Sequence, residues 1–208
     1  YSGIKEFFES ENSPIMIKDI PPSQDHNDSA TMPETLKEAT LCFLIGLADG
    51  HINDEDKKEG SNRTMYIHPD RTKIIHEMFK TWIDRFLNDL EAGIEMNDQK
   101  TTIKNLQSAY EDIKSTHSDI ANFEEIIKEL PQVIRKLKGF VWSYNMDTHK
   151  SYFKEFDQFP WKQNYGWILI GGDKLERGFT VEGCTITYMP RVAKKNNQDT
   201  VIQRGRFL

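Results

Sequence analysis

WILIGGDKLERGFTVEGCTITYMPRVAKKNNQDTVIQRGRFL, residues 167–208, is the stretch on which the reading of the chain turns. It opens on an apolar run, Trp167-Ile168-Leu169-Ile170, that stops at Gly171-Gly172. A short apolar run bounded by glycine predicts a buried strand. A charged, glycine-punctuated loop follows, Asp173-Lys174-Leu175-Glu176-Arg177-Gly178-Phe179-Thr180, and then a second strand-like run from Cys184 to Met189, closed by Pro190. The stretch ends on Asp199-Thr200-Val201-Ile202-Gln203-Arg204-Gly205-Arg206-Phe207-Leu208. Polar loops at the carboxyl ends of buried strands are where open α/β sheets place their chemistry. Gln203 followed by Gly205-Arg206 supplies an amide and a guanidinium fork, which suit phosphate. A surface loop and a solvated basic end are the plainer readings of each piece alone. Strand, glycine loop, strand and Gln-x-Gly-Arg in this order favour a functional one.

Upstream, Thr64 to His68 reads as a short strand ending at Pro69, which puts His68 at the carboxyl edge of the sheet. A lone histidine is usually a structural hydrogen-bonder. From Pro33 the pattern is helical: Leu36, Thr40, Phe43 and Leu47 recur on one face, and Asp49-Gly50 predicts a left-handed glycine cap at the end. The loop His51 to Asn62 is polar, and calcium-loop spacing fails in it. Between Asp70 and Gly93 a wide apolar stripe, from Ile74 and Ile75 to Leu90, predicts a helix buried between layers. Two more helical patterns follow, Ile103 to Ile113 and Phe123 to Leu130, with Pro131 expected to kink or restart the second. Gly139 to Asn145 is a further strand candidate. It leads into an aromatic stretch, Tyr152 to Tyr165, that reads mainly as packing under the sheet. So much helix exceeds what one parallel crossover needs, which predicts a helical insertion at about 92–138.

The stretch IGGDKLERGFTVEG, the strand ending YMPR, and DTVIQRGRF together resemble the Z-one (Z1) domain, a family that carries an endonuclease label. That family is similar to the second RecA-like lobe of superfamily-two helicases. The resemblance implies an α/β fold: a RecA-like lobe with a parallel sheet flanked by helices, plus the helical insertion. It sets residues 1–30 apart as a linker-like segment and 31–208 as the lobe, cut off at its carboxyl end. Gly171 to Thr180 would correspond to helicase motif V and Gln203 to Arg206 to the start of motif VI. The strand Arg63 to His68 is similar to one that ends in Ile/Val-His in the family. By this resemblance Arg206 is the candidate arginine finger, with Gln203 and Arg204 beside it, and Gly171, Gly172, Asp173, Gly178 and Gly205 approach a nucleotide. His68, Lys174, Arg177 and Thr180 would contact nucleic acid.

At 208 residues the chain can bury a sizeable core as one domain or one lobe. A hydrophobic fraction of 37% beside 29% charged residues describes a polar globular chain without an apolar run of the roughly 18 residues a membrane crossing needs. No signal-peptide pattern opens it, and Cys42 and Cys184 sit in apolar contexts, which suits the cytoplasm. A net charge of -6 argues mildly against a dedicated nucleic-acid binder, though a lobe can present a small basic strip. The start at Tyr1 and the stop at Leu208, inside an arginine-rich motif, predict a piece of a longer protein.

A complete nucleotide hydrolase needs GxxxxGK[ST] and an acidic pair for magnesium, and neither is present. The expectation is therefore a DNA-acting, helicase-like ATPase or endonuclease fragment of a restriction or phage-defence type. ATP and magnesium would be used by the full-length protein, whose missing N-terminal lobe would hold the triphosphate. DNA is the expected partner, with no membrane and no metal site on the fragment itself. A metal-dependent endonuclease domain and a non-catalytic α/β DNA-binding scaffold stay open as alternatives. Pro69-Asp70 with Glu77 and Lys80 has the wrong spacing for a nuclease, and Asp147 and Asp173 are weak ligand candidates.

Overall fold

The computed structural model describes residues 18, 20, 21, 31–69, 72–96, 99–144, 159–172 and 181–190. Among these residues four strands form one parallel sheet: β1 (Arg63–Ile67), β2 (Val141–Tyr144), β3 (Gly166–Gly171) and β4 (Cys184–Tyr188). Their spatial order is β2-β3-β1-β4, so the first strand lies inside the sheet. Helix α1 (Glu34–Ile52) precedes β1. Between β1 and β2 come α2 (Lys73–Glu95), a π-helical turn (Gln99–Ile103), α3 (Lys104–Thr116) and α4 (Phe123–Leu137). This is the mixed α/β layout of a parallel sheet flanked by helices.

Strand alternation explains the two cores. Met65 and Ile67 of β1, with Ile168 and Ile170 of β3, face the helices. Tyr66, Trp167 and Leu169 point to the opposite face, where they meet Tyr144, Phe159, Trp161 and Val181. Every residue of β3 is buried, as a strand packed on both faces requires. Each large side chain withdrawn from water, such as Trp167 or Phe43, stabilises the fold by roughly 1.5–3 kcal/mol. The second core is aromatic: Trp167 has Phe140, Trp142 and Phe159 at 4.8, 5.3 and 5.0 Å between ring centroids.

The sheet order fixes which connections run over which face. From β1 the chain crosses to β2 past β3, and then returns in the other direction to β3 and on to β4. Right-handed crossovers that travel in opposite directions must use opposite faces. The helices between β1 and β2 pack on one face, while Phe159, Trp161 and Val181, from the two return connections, pack on the other.

Several local expectations are corrected. Gly50 is not a cap: α1 runs on to Ile52, and Gly50 is buried inside the helix where Tyr165 crosses it. Pro131 neither ends nor restarts α4, which is continuous because Ile126, Leu130, Val133, Ile134 and Leu137 hold one face on both sides of it. Helix α2 is not sandwiched between layers. Phe79, Trp82, Ile83, Leu87 and Leu90 are buried, but Ile74 is 81% exposed and the opposite face is wet. Asn122 caps α4, its side-chain oxygen accepting from the Glu125 N–H at 3.0 Å. Lys18 pairs with Asp112 of α3, and Ile20 packs against the main core, so this part of the expected linker lies on the helical layer.

Candidate functional site

The place where chemistry is expected follows from the topology. In open parallel sheets, ligands bind outside the carboxyl ends of two adjacent strands whose outgoing connections take opposite faces. Strands β1 and β3 are such neighbours: β1 leads to α2 on the helical face, and β3 leads to Val181 on the aromatic face. Their carboxyl ends are His68 and Gly171-Gly172.

Three of the residues singled out in the sequence meet here. The imidazole Nδ1 of His68 lies 3.0 Å from the carbonyl oxygen of Gly171 and 3.2 Å from the Tyr66 hydroxyl. The backbone N–H of His68 donates to the carbonyl of Tyr188 at 2.9 Å. One residue therefore ties the ends of β1, β3 and β4 together. Its side chain is fully buried and does not face solvent. Gly172 follows directly after β3, half-buried.

Tyr188 is anchored a second time. Its hydroxyl is 2.9 Å from Thr35 Oγ1 at the start of α1, and burial pushes that phenol's pKa up against the opposing pull of the Thr35 hydrogen bond. Burial alone pushes the Tyr144 phenol, at the end of β2, up to about 12. The carboxyl edge is thus lined by neutral phenols at physiological pH.

The other expected site residues, Asp173, Lys174, Arg177, Gly178, Thr180, Gln203, Arg204, Gly205 and Arg206, lie outside the described residues, as do Asp70 and Asp147. The structure supplies the roots of the two segments that carry them: Gly171-Gly172 for one, Tyr188-Met189-Pro190 for the other. Lys80, weighed as part of a nuclease-like set, is paired with Asp84 at 2.5 Å one turn along α2. Among the described residues, no three His, Cys, Asp or Glu side chains are grouped so as to hold a metal ion. Nor is any described helix long and apolar enough to cross a membrane.

The opposite end of the sheet holds a charged cluster that the sequence reading missed. Arg63 pairs with Glu55, donates to the Gly46 carbonyl at 3.0 Å, and lies 5.9 Å from the Tyr165 ring centroid. His51 Nδ1 is 3.1 Å from Glu129 and its Nε2 is 3.8 Å from Asp56. These groups bind α1, α4 and the β1 entry together at the amino ends of the strands, away from the switch point. Glu129 and Tyr165 lie 78 and 102 residues along the chain from His51 and Arg63, so no local spacing announces the cluster as a whole.

A parallel α/β sheet with a topological switch point between β1 and β3 defines the class. Within it, the chain belongs to the Z1 domain family, which matches residues 35–208. No curated protein and no solved structure matches the chain.

Proposed function

We propose that this chain is the helicase-like second lobe of a DNA-acting, ATP-dependent enzyme, and that it completes a nucleotide site whose triphosphate cradle lies in another part of the protein. The observation that carries the reading is the convergence at the switch point. The glycine loop that follows β3 and the arginine-bearing segment that follows β4 leave the sheet from ends joined through His68. The residues at the switch point fit an anionic group in one respect. The Gly171 carbonyl, which would repel a phosphate, faces the His68 Nδ1–H. The sequence carries no GxxxxGK[ST], and that is why the reading assigns the triphosphate elsewhere.

In this reading Arg206 stabilises charge on the transferred phosphoryl group, Gln203 orients groups beside it, and Arg204 is the second choice for the finger. Lys174, Arg177 and Thr180 bind the backbone of one DNA strand. ATP would supply the phosphoanhydride whose hydrolysis drives the work, with magnesium bound through the other lobe. The placement of the enzyme in a restriction or phage-defence setting belongs to the same proposal.

The test is ATP hydrolysis by the full-length protein, with and without DNA, for wild type and Arg206→Ala. DNA-stimulated turnover that falls by about a thousandfold in the variant is the expected result. Equal turnover in the two proteins sinks the finger role. Magnesium-dependent DNA cleavage that needs no ATP would move the function to a nuclease.

A further inference from the structure

We propose that His68 is a positioning residue that holds the carboxyl ends of β3 and β4, the roots of the segments that follow them, in one register at the switch point. The inference rests on the proposed nucleotide site and names a residue that acts on it without touching its ligands.

The argument begins with donors and acceptors. A backbone carbonyl only accepts, so the 3.0 Å contact to Gly171 requires the proton of His68 to sit on Nδ1. The Tyr66 hydroxyl oxygen, 3.2 Å from the same nitrogen, then takes the second branch of that donor. This fixes the tautomer and the ring plane together. The backbone is held as firmly. Pro69 disfavours helical torsions at His68, which keeps the strand direction to its end. From there the His68 N–H reaches the Tyr188 carbonyl at 2.9 Å.

The side chain therefore grips β3 and the main chain grips β4, from the strand that lies between them. Gly171 is the last residue of β3, so the bond acts on the root of the loop that follows. Tyr188 is the last residue of β4 and stands in the same relation to the segment beyond Pro190. Loss of the Gly171 bond lets one root shift relative to the other. A displacement of about 1 Å between groups that share a reaction site lowers the rate on the order of a hundredfold.

Two substitutions separate the donor from the shape. In His68→Asn the amide nitrogen is as many bonds from Cα as Nδ1, so an N–H can still meet the Gly171 carbonyl. In His68→Gln the nitrogen takes the place of Nε2 and that carbonyl loses its donor. In the full-length protein, His68→Gln is expected to lower kcat of DNA-stimulated ATP turnover about a hundredfold. KM for ATP should stay within about threefold, because the triphosphate is held elsewhere. His68→Asn is expected within about fivefold of wild type. Hydrogen exchange across residues 166–190 should rise in His68→Gln and return in His68→Asn.

Equal loss in both folded variants, or wild-type turnover and exchange in His68→Gln, overturns the assignment. Should His68→Gln fail to fold, His68→Asn decides alone, and turnover below about a tenth of wild type overturns it. A wild-type protein with no ATP turnover brings down the functional reading instead. Exchange then judges the latch: a rise in His68→Gln that His68→Asn reverses upholds it, and no difference overturns it.

Discussion

Gly50 of α1 and Tyr165, at the entry to β3, meet so closely that a Cβ on the glycine would stand 1.9 Å from the phenol oxygen and 2.8 Å from Cζ. The contact locks helix to sheet, and it reverses a general rule. Glycine to alanine inside a helix ordinarily gains about 1 kcal/mol. Gly50→Ala is expected to lose about 2–3 kcal/mol, because the phenol must move within a packed core. Removing the hydroxyl as well, in Gly50→Ala with Tyr165→Phe, should recover only part of the loss, since the ring carbons still collide. Urea unfolding of the four proteins of this cycle measures it, and a stabilised Gly50→Ala would refute the contact.

One residue earlier on α1, Asp49 holds the chain where α3 hands over to α4. Its Oδ1 accepts from the Ala121 N–H at 2.9 Å and from Asn53 at 3.1 Å, and the residue is 4% exposed. Asp49→Ala strands a buried backbone donor and should lose about 2 kcal/mol. Asp49→Asn keeps an acceptor oxygen in place and should lose less than half as much. Denaturation midpoints of the two variants decide, and equal losses would show that charge, not acceptance, is what Asp49 contributes.

Burial pushes the Cys42 thiol up to about 11, against the opposing charge of Lys18. The thiolate is the reactive species, and at pH 8 only roughly one part in a thousand is present. Burial raises the Cys184 thiol as well, although its hydrogen bond to Thr187 acts the other way. Alkylation of Cys42 in the folded protein should therefore be negligible over hours and become rapid in urea. Mass spectrometry of iodoacetamide-treated protein reads this directly. Labelling of Cys42 at the same rate with and without urea would be the contrary result.

The strands were legible because their signals are local. Trp167 to Ile170 is apolar throughout since β3 is buried on both faces, and the glycines after it mark its end. The periodicity of α2, α3 and α4 was legible for the same reason. What the sequence hid is set by partners far along the chain. Gly50 looks like a cap until Tyr165 is seen beside it. Ile74 belongs to an apolar stripe on paper and to the wet side of α2 in space. The switch point between β1 and β3 depends on strand order, which no window of residues records. His68 was found from its place after a strand, but its burial, and with it the role of holding Gly171, required the fold.

The charged cluster at the far end of the sheet gives the pH dependence a sign. Burial pushes the Glu55 carboxyl up, but the hydrogen bond and charge of Arg63, joined by the Tyr165 hydroxyl, leave it below its ordinary 4.5. A carboxyl that ionises more readily when folded stabilises the fold above its unfolded pKa. That contribution fades as pH falls through the lower, folded value. Glu55→Gln should then be less stable than wild type near neutral pH, by under about 1 kcal/mol because the pair is partly exposed to water. The difference should close as the pH falls below that folded value. Arg63→Ala behaves differently, since the guanidinium also serves the Gly46 carbonyl and packs near the Tyr165 ring. Its loss should persist in acid. Urea midpoints of the three proteins across the acidic range test both statements, and a Glu55→Gln gap of constant size at every pH would show that the carboxylate's charge contributes nothing.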